Sequence, residues 1–215
     1  MKKYMLMLVL SCVIILSGCT FGSTIEEDLS KVLSEMHEAE KTYRDGQKDL
    51  TEIEQTEQNL FNKTMELSQE EHEQLKDNIA DMKELLEKRT IHIEEETKSM
   101  ENAKKLVSDI EKIEKEAEGD TKAEVVKLKN AINDRYQTHT IFVNQYEELT
   151  KLQGELYEML LVEDIDLTKL EKQVEELNAQ NDEVTTAIKE FNEATNSLNE
   201  IKDETFDYFK KNNSK

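Results

Sequence analysis

No proline occurs anywhere in the 215 residues of this chain. A proline inside a helix removes an N–H and clashes with the carbonyl of the preceding turn, so its absence permits helices of unusual length. Apolar residues recur at alternating spacings of three and four, which places them along one helical face. Four segments carry this seam. The first runs through Ile25, Leu29, Val32, Met36, Ala39, Tyr43, Gly46, Leu50, Ile53 and Leu60. The second has Leu75, Ile79, Met82, Leu86, Ile93, Met100, Ala103, Val107 and Ile110. The third has Val125, Leu128, Ile132, His139, Phe142, Tyr146, Leu149, Leu156 and Leu160. The fourth has Leu170, Val174, Leu177, Val184, Ile188, Phe191 and Leu198. Polar residues interrupt it at Arg89, Glu96, Gln153, Asn181 and Thr195.

The gaps between segments hold helix-starting chemistry. Thr24 with Glu27, and Ser68 with Glu71, have capping-box spacing. Gly119-Asp120 supplies a left-handed residue followed by an N-cap. The last start is open between Asp166, which would staple Ile165 to Leu170, and Thr168, which pairs with Glu171. Four helices of roughly 43 to 50 residues would each span about 65–75 Å. Near-equal lengths and short turns favour an all-α, elongated four-helix up-and-down bundle. A long coiled-coil hairpin that dimerises is the alternative. Gly46 and Gly154 lie inside helical pattern; Gly46 marks either a close helix approach or a break at Asp45-Gly46.

The N-terminus follows another logic. Met1-Lys2-Lys3 is basic, and Tyr4 to Leu16 is an apolar run of 13 residues. That is too short for a membrane span, which needs about 20, and suits a signal-peptide core. Leu16-Ser17-Gly18-Cys19 then has the form of a lipobox: small Ser17 and Gly18 admit the peptidase, and the Cys19 thiol accepts diacylglycerol. The expected organisation is a lipoprotein signal peptide over 1–18, a lipidated cysteine and short tether over 19–24, and a helical bundle over 25–212. Thr20 to Ser23 reach about 15 Å when extended, so the body is expected near the membrane.

Net charge is −21, and removal of Lys2 and Lys3 with the first eighteen residues makes it −23. Nucleic acid is excluded as a partner, because phosphate binding needs clustered Lys and Arg. The two cysteines, Cys12 and Cys19, both lie in the N-terminal segment, which excludes thiolate zinc sites in the body. His37, His72, His92 and His139 show no zinc-helix spacing; His92 and Glu96 lie one turn apart, and His139 falls on the seam. The runs Glu70-Glu71, Glu94-Glu95-Glu96 and Glu163-Asp164 read as solvated faces and lack the loop of a calcium site. Tyr136, Phe142, Tyr146 and Tyr157 gather on the third helix, where a core role outweighs sugar stacking. Phe206, Tyr208 and Phe209 either cap the bundle or dock a partner. No catalytic residue, cofactor or metal is expected, and the ligand-binding residues and oligomeric state stay unassigned.

The lipobox followed closely by a proline-free, Glu/Lys-rich helical body resembles the cell-wall-binding lipoprotein family of Gram-positive bacteria, the YkyA-like proteins. The resemblance implies a four-helix up-and-down bundle on the outer face of the cytoplasmic membrane, a wall-binding role, and no catalytic residues. An anionic wall polymer would repel this acidic body, so binding would need neutral glycan contacts, bridging cations or a basic patch, for which Lys122, Lys127 and Lys129 are candidates. The expected function is a non-catalytic binding or scaffold module at the membrane–wall boundary, held by its lipid anchor. Its candidate partners are peptidoglycan or a wall-associated protein. The alternative is an extracytoplasmic helical partner-binding protein, either a holdase or an accessory subunit of a membrane complex.

Overall fold

The computed structural model describes residues 24–68 and 71–213, so the signal segment and Cys19 lie outside the described residues. Six helices follow in order: α1 (Ile25–Ala39), α2 (Lys41–Met65), α3 (His72–Lys105), α4 (Val107–Glu116), α5 (Gly119–Leu160) and α6 (Leu167–Asn213). α1 and α2 join end to end, as do α3 and α4, so the chain makes four rods joined by short turns. No strand occurs among the described residues. The first rod packs on the second, the second on α5, and α5 most extensively on α6. The chain's own four rods therefore share one bundle, as the expected four-helix architecture requires. The first rod and α6 keep their backbones apart, and the seam between them is bridged by side chains such as Tyr43 and Phe191, whose rings meet edge-on at 6.0 Å.

The caps follow local sequence. At Thr24 the box is complete: Glu27 N–H donates to Thr24 Oγ1 at 3.2 Å, and Thr24 N–H donates to Glu27 Oε2 at 2.9 Å. At Ser68 only half of it forms. The Glu71 carboxylate accepts both the Ser68 N–H and the Ser68 hydroxyl, and Glu71 itself becomes the N-cap of α3. Gly119 takes the left-handed conformation with φ 54°, but Asp120 does not cap; Glu118 holds that position. Asp166 resolves the last start. Its Oδ1 accepts from Thr168 N–H at 3.0 Å, and its carbonyl accepts from Leu170 N–H.

The first rod does break, although not at Asp45-Gly46. Gly46 lies within α2, and the break falls at Glu40. The cause is an intruding side chain. Tyr43 N–H would ordinarily reach the Ala39 carbonyl, but Ser99 of α3 stands between them. Its Oγ accepts from Tyr43 N–H at 3.3 Å and donates to Ala39 O at 2.7 Å. Gly46 instead marks a close approach: a Cβ there would lie 3.4 Å from Glu96 Oε1.

The core forms three clusters along the bundle. The largest, around Leu29, Met100, Leu128 and Phe209, fills the half nearest the N-terminus. A middle cluster includes Ile93, Phe142 and Leu149, and a small one holds Ile79, Met82 and Tyr157 at the far end. Three rods bury the seam much as spaced. α6 departs from it. Val174 and Ile188 are 38% and 41% exposed, whereas Ala187 and Ala194, absent from the expected stripe, are buried. Small residues allow α6 to lie close on α5, and two glutamine clamps hold it there. Gln173 Nε2 donates to the Leu152 carbonyl, and Gln180 Nε2 to the Gln145 carbonyl, each at 2.9 Å.

Ser99→Ala is expected to destabilise the fold by about 1–2 kcal/mol, because the Ala39 carbonyl and Tyr43 N–H lose a buried bridge. Chemical denaturation checks this, and an unchanged midpoint would show that packing alone sets the break.

Candidate functional site

The polar interruptions of the seam are sorted by the fold into three buried layers and a cleft. The first layer joins the rod break to α5. Glu40 accepts from Arg135 through both carboxylate oxygens, at 2.6 and 3.1 Å, and from the Tyr136 hydroxyl at 2.7 Å. Arg135 Nε donates to Thr195 Oγ1 of α6, so one guanidinium ties three rods. Burying this charge is tolerable only because both partners are hydrogen-bonded.

The second layer is less satisfied. Glu96 is 1% exposed; Gln47 donates to its Oε1 at 2.8 Å, while Oε2 has no partner among the described residues. Burial pushes its carboxyl up to about 7, against the Gln47 hydrogen bond and with help from Glu54. His139 is also buried, edge-on to Tyr43, Phe142 and Phe191, and its Nε2 lacks a hydrogen-bond partner among the described residues. It is therefore a core histidine with one ring nitrogen left without a hydrogen bond. Burial, followed by the nearby Arg135 charge, pushes the ring down to about 4.

The third layer centres on Arg89 of α3. Its Nε donates to Tyr146 Oη at 2.8 Å, and its Nη1 donates to Glu57 at 2.7 Å and to Gln153 Oε1 at 2.9 Å. The guanidinium lies over the Tyr146 ring at 5.1 Å. Tyr146 in turn donates to Glu54 at 2.6 Å, and Tyr157 to Glu57 at 2.5 Å. Burial, then the adjacent carboxylates, raises the pKa of both phenols, which stay neutral. Burial opposes the Arg89 charge, but Tyr146 and Glu57 outweigh it and raise its pKa.

Above this layer, where the first rod and α6 stand apart, lies a cleft of about 440 Å³. α2 contributes Glu54, Glu57, Gln58 and Phe61, and Arg89 lies in the floor. α5 contributes Tyr146, Leu149, Gln153, Leu156 and Tyr157. α6 contributes Leu177, Asn178, Asn181, Val184, Thr185 and Ile188. The volume falls within the range of small-ligand clefts, about 300–1,000 Å³.

Other expected features fall elsewhere. His37 and His72 are exposed, and His92 is half-buried beside Glu96 in a shallow acidic hollow with Asp45 and Asp49. Among the described residues no group of three or more His, Cys, Asp or Glu side chains is arranged to hold a metal ion. Glu94, Glu95, Glu163 and Asp164 are exposed. Lys127 pairs with Glu204 and Lys129 with Glu114, so the candidate basic patch is neutralised by acids. The four α5 aromatics are buried, and the three tyrosines donate to carboxylates of the first rod. Phe206, Tyr208 and Phe209 close the end of the large core cluster.

Glu40, Glu54, Glu57 and Arg135 were not singled out from sequence. A signal existed for two of them. The three–four register continued past Ile53 lands on Glu57, and in the third segment it passes through Arg135 between Ile132 and His139.

Long helical rods crossed by buried polar layers and opened by a cleft of about 440 Å³ define a helical binding bundle. The chain belongs to the YkyA family, described as "Putative cell-wall binding lipoprotein", which matches residues 24–208. It is also 26% identical over 198 residues to an uncharacterized lipoprotein YkyA of Bacillus subtilis (strain 168), covering 90% of this chain and 87% of the relative. No solved structure matches it.

Glu96 and His139 give stability opposite pH slopes. Unfolded, Glu96 releases its proton near 4.5; folded, it keeps it to about 7, so stability falls as pH rises through that window. Unfolded His139 takes up a proton near 6.5, but the folded ring does so only at about 4, so stability falls as pH drops through that range. Glu96→Gln is expected to stabilise the protein by about 1–2 kcal/mol at pH 8 and by nothing below pH 4.5. Thermal unfolding at both pH values checks this; equal effects would mean that Glu96 titrates normally in the fold.

Proposed function

We propose that this protein is a non-catalytic binding module at the membrane–wall boundary, lipidated at Cys19 and held on the outer face of the cytoplasmic membrane. The observation that carries the reading is the cleft, which lies toward the far end of the rods from the α1 start. The anchor motif Leu16-Ser17-Gly18-Cys19 closely precedes that start. Rods such as α5, with 42 residues, are about 60 Å long at 1.5 Å per residue, so an upright bundle carries the cleft away from the bilayer. Two acyl chains, at about 0.8 kcal/mol per buried methylene, hold the base without a membrane-spanning helix. The family description supports wall contact, and the buried, mutually satisfied charges support a rigid scaffold in preference to a reactive centre.

Residues 20–215 are expected to sediment with isolated peptidoglycan whether or not its anionic polymers are attached. In cells, Cys19→Ala is expected to release the protein from the membrane fraction. Absence of sedimentation under every salt condition would remove wall binding.

One surface favours a second reading, a partner-binding accessory subunit. At the tip distal to the anchor, Met65, Leu161, Val162 and Leu167 are exposed by 57, 37, 54 and 67%, among exposed Glu66, Glu71, Glu163, Asp164 and Asp166. An apolar centre with an acidic rim suits a partner with basic edges. Val162→Lys with Leu167→Lys is expected to abolish in-cell cross-linking from the tip while leaving peptidoglycan sedimentation intact. Unchanged cross-links would discard this surface.

A further inference from the structure

We infer that the cleft between α2 and α6 takes an uncharged, N-acetylated amino-sugar chain, and that wall contact is made through glycan and not through anionic polymer. This rests on the wall-binding reading and specifies its ligand. Charge is the first argument. Arg89 is the sole cation among the lining residues; its Nε and Nη1 already donate to Tyr146, Glu57 and Gln153, and its Nη2 lies 3.7 Å from Glu54 Oε1. With Glu54 and Glu57 beside it and the phenols neutral, the site carries a residual negative charge, which repels phosphate and carboxylate groups.

The second argument is the chemistry of the rim. Gln58 of α2 faces the cleft opposite Asn178 and Asn181 of α6, and these side-chain amides hydrogen-bond to no other described residue. Each amide offers donors and an acceptor without charge, which matches hydroxyl and acetamido groups. The half-buried Phe61 ring and the exposed Ile188 side chain add apolar surface suited to a sugar face and an acetyl methyl. The third argument is the departure of α6 from its expected stripe. Turning Ala187 and Ala194 onto α5 leaves Leu177 and Ile188 toward a seam that no backbone closes. A cleft bounded along its length by two rods admits a linear chain, and its volume is that of a small ligand.

The test is calorimetric titration of the chain lacking its first nineteen residues, which retains every described helix. The probe is the tetramer of β-1,4-linked N-acetylglucosamine. The corresponding β-1,4-linked glucose tetramer, neutral and without acetamido groups, and a poly(glycerol phosphate) serve as comparison probes. Saturable binding of the acetylated tetramer alone is expected. Asn181→Leu is expected to weaken it about tenfold, as loss of a polar contact worth one decade of affinity. Both substituted positions, Asn178→Leu being the second, are exposed, so the fold is preserved, and unchanged thermal melts confirm that. Failure to bind the tetramer, equal binding of the glucose tetramer, or indifference to both substitutions would overturn the glycan assignment. If peptidoglycan sedimentation persists alongside such a failure, the wall-binding reading stands and only the ligand class falls; if sedimentation is absent too, both fall.

Discussion

A guanidinium buried between helices is costly unless carboxylates and hydrogen-bond acceptors meet it, and the far half of this bundle is organised by that demand. Arg89 draws Glu57 from α2, Tyr146 and Gln153 from α5, and through the tyrosine also Glu54. Removing Glu57 would leave the buried Arg89 charge without its closest carboxylate, and breaking a buried pair in this way costs about 3–5 kcal/mol. The requirement also selects register. An apolar heptad stripe tolerates a slip of one repeat, because leucine meets leucine again. A carboxylate placed to meet Arg89 does not.

The same logic recurs at Glu40 and Arg135, with a different local outcome. There the carboxylate belongs to the residue at which the first rod breaks, and Ser99 replaces the missing backbone hydrogen bond. The bend is thus held from two sides, by a hydroxyl from α3 and an arginine from α5. Between the two arginine layers, Glu96 and His139 are each buried with one polar atom that finds no hydrogen-bond partner among the described residues. Gly46 makes the room that brings the Glu96 carboxyl against α2. These layers restrict apolar packing to three separate clusters, and the smallest lies at the end where the tip exposes methionine, leucine and valine.

The cleft follows from an asymmetry between pairs of rods. α6 is drawn onto α5 by alanines and by two glutamine-to-carbonyl clamps, and the first rod is drawn onto α3 and α5 by ion pairs. Among the described residues, nothing comparable joins the first rod to α6 in the far half. With a net charge of −21 on the chain, neutral chains approach that opening at lower electrostatic cost than polyanions.

Sequence alone determined the helices and their approximate ends, because these depend on local chemistry: no proline, a three–four apolar rhythm and capping residues. It also exposed the polar interruptions at Arg89, Glu96, Gln153, Asn181 and Thr195. What they meet was decided in three dimensions. Arg89 and Glu57 are 32 residues apart, and Arg135 and Glu40 are 95 apart. Spacing along a chain carries no information on which seam position faces which until four rods fix one another's register. The break at Glu40 was hidden for the same reason: its cause, Ser99, comes from another rod. The face that α6 buries was misread because the stripe was traced through large residues. Close packing on α5 was instead achieved through Ala187 and Ala194, and that choice left the cleft open.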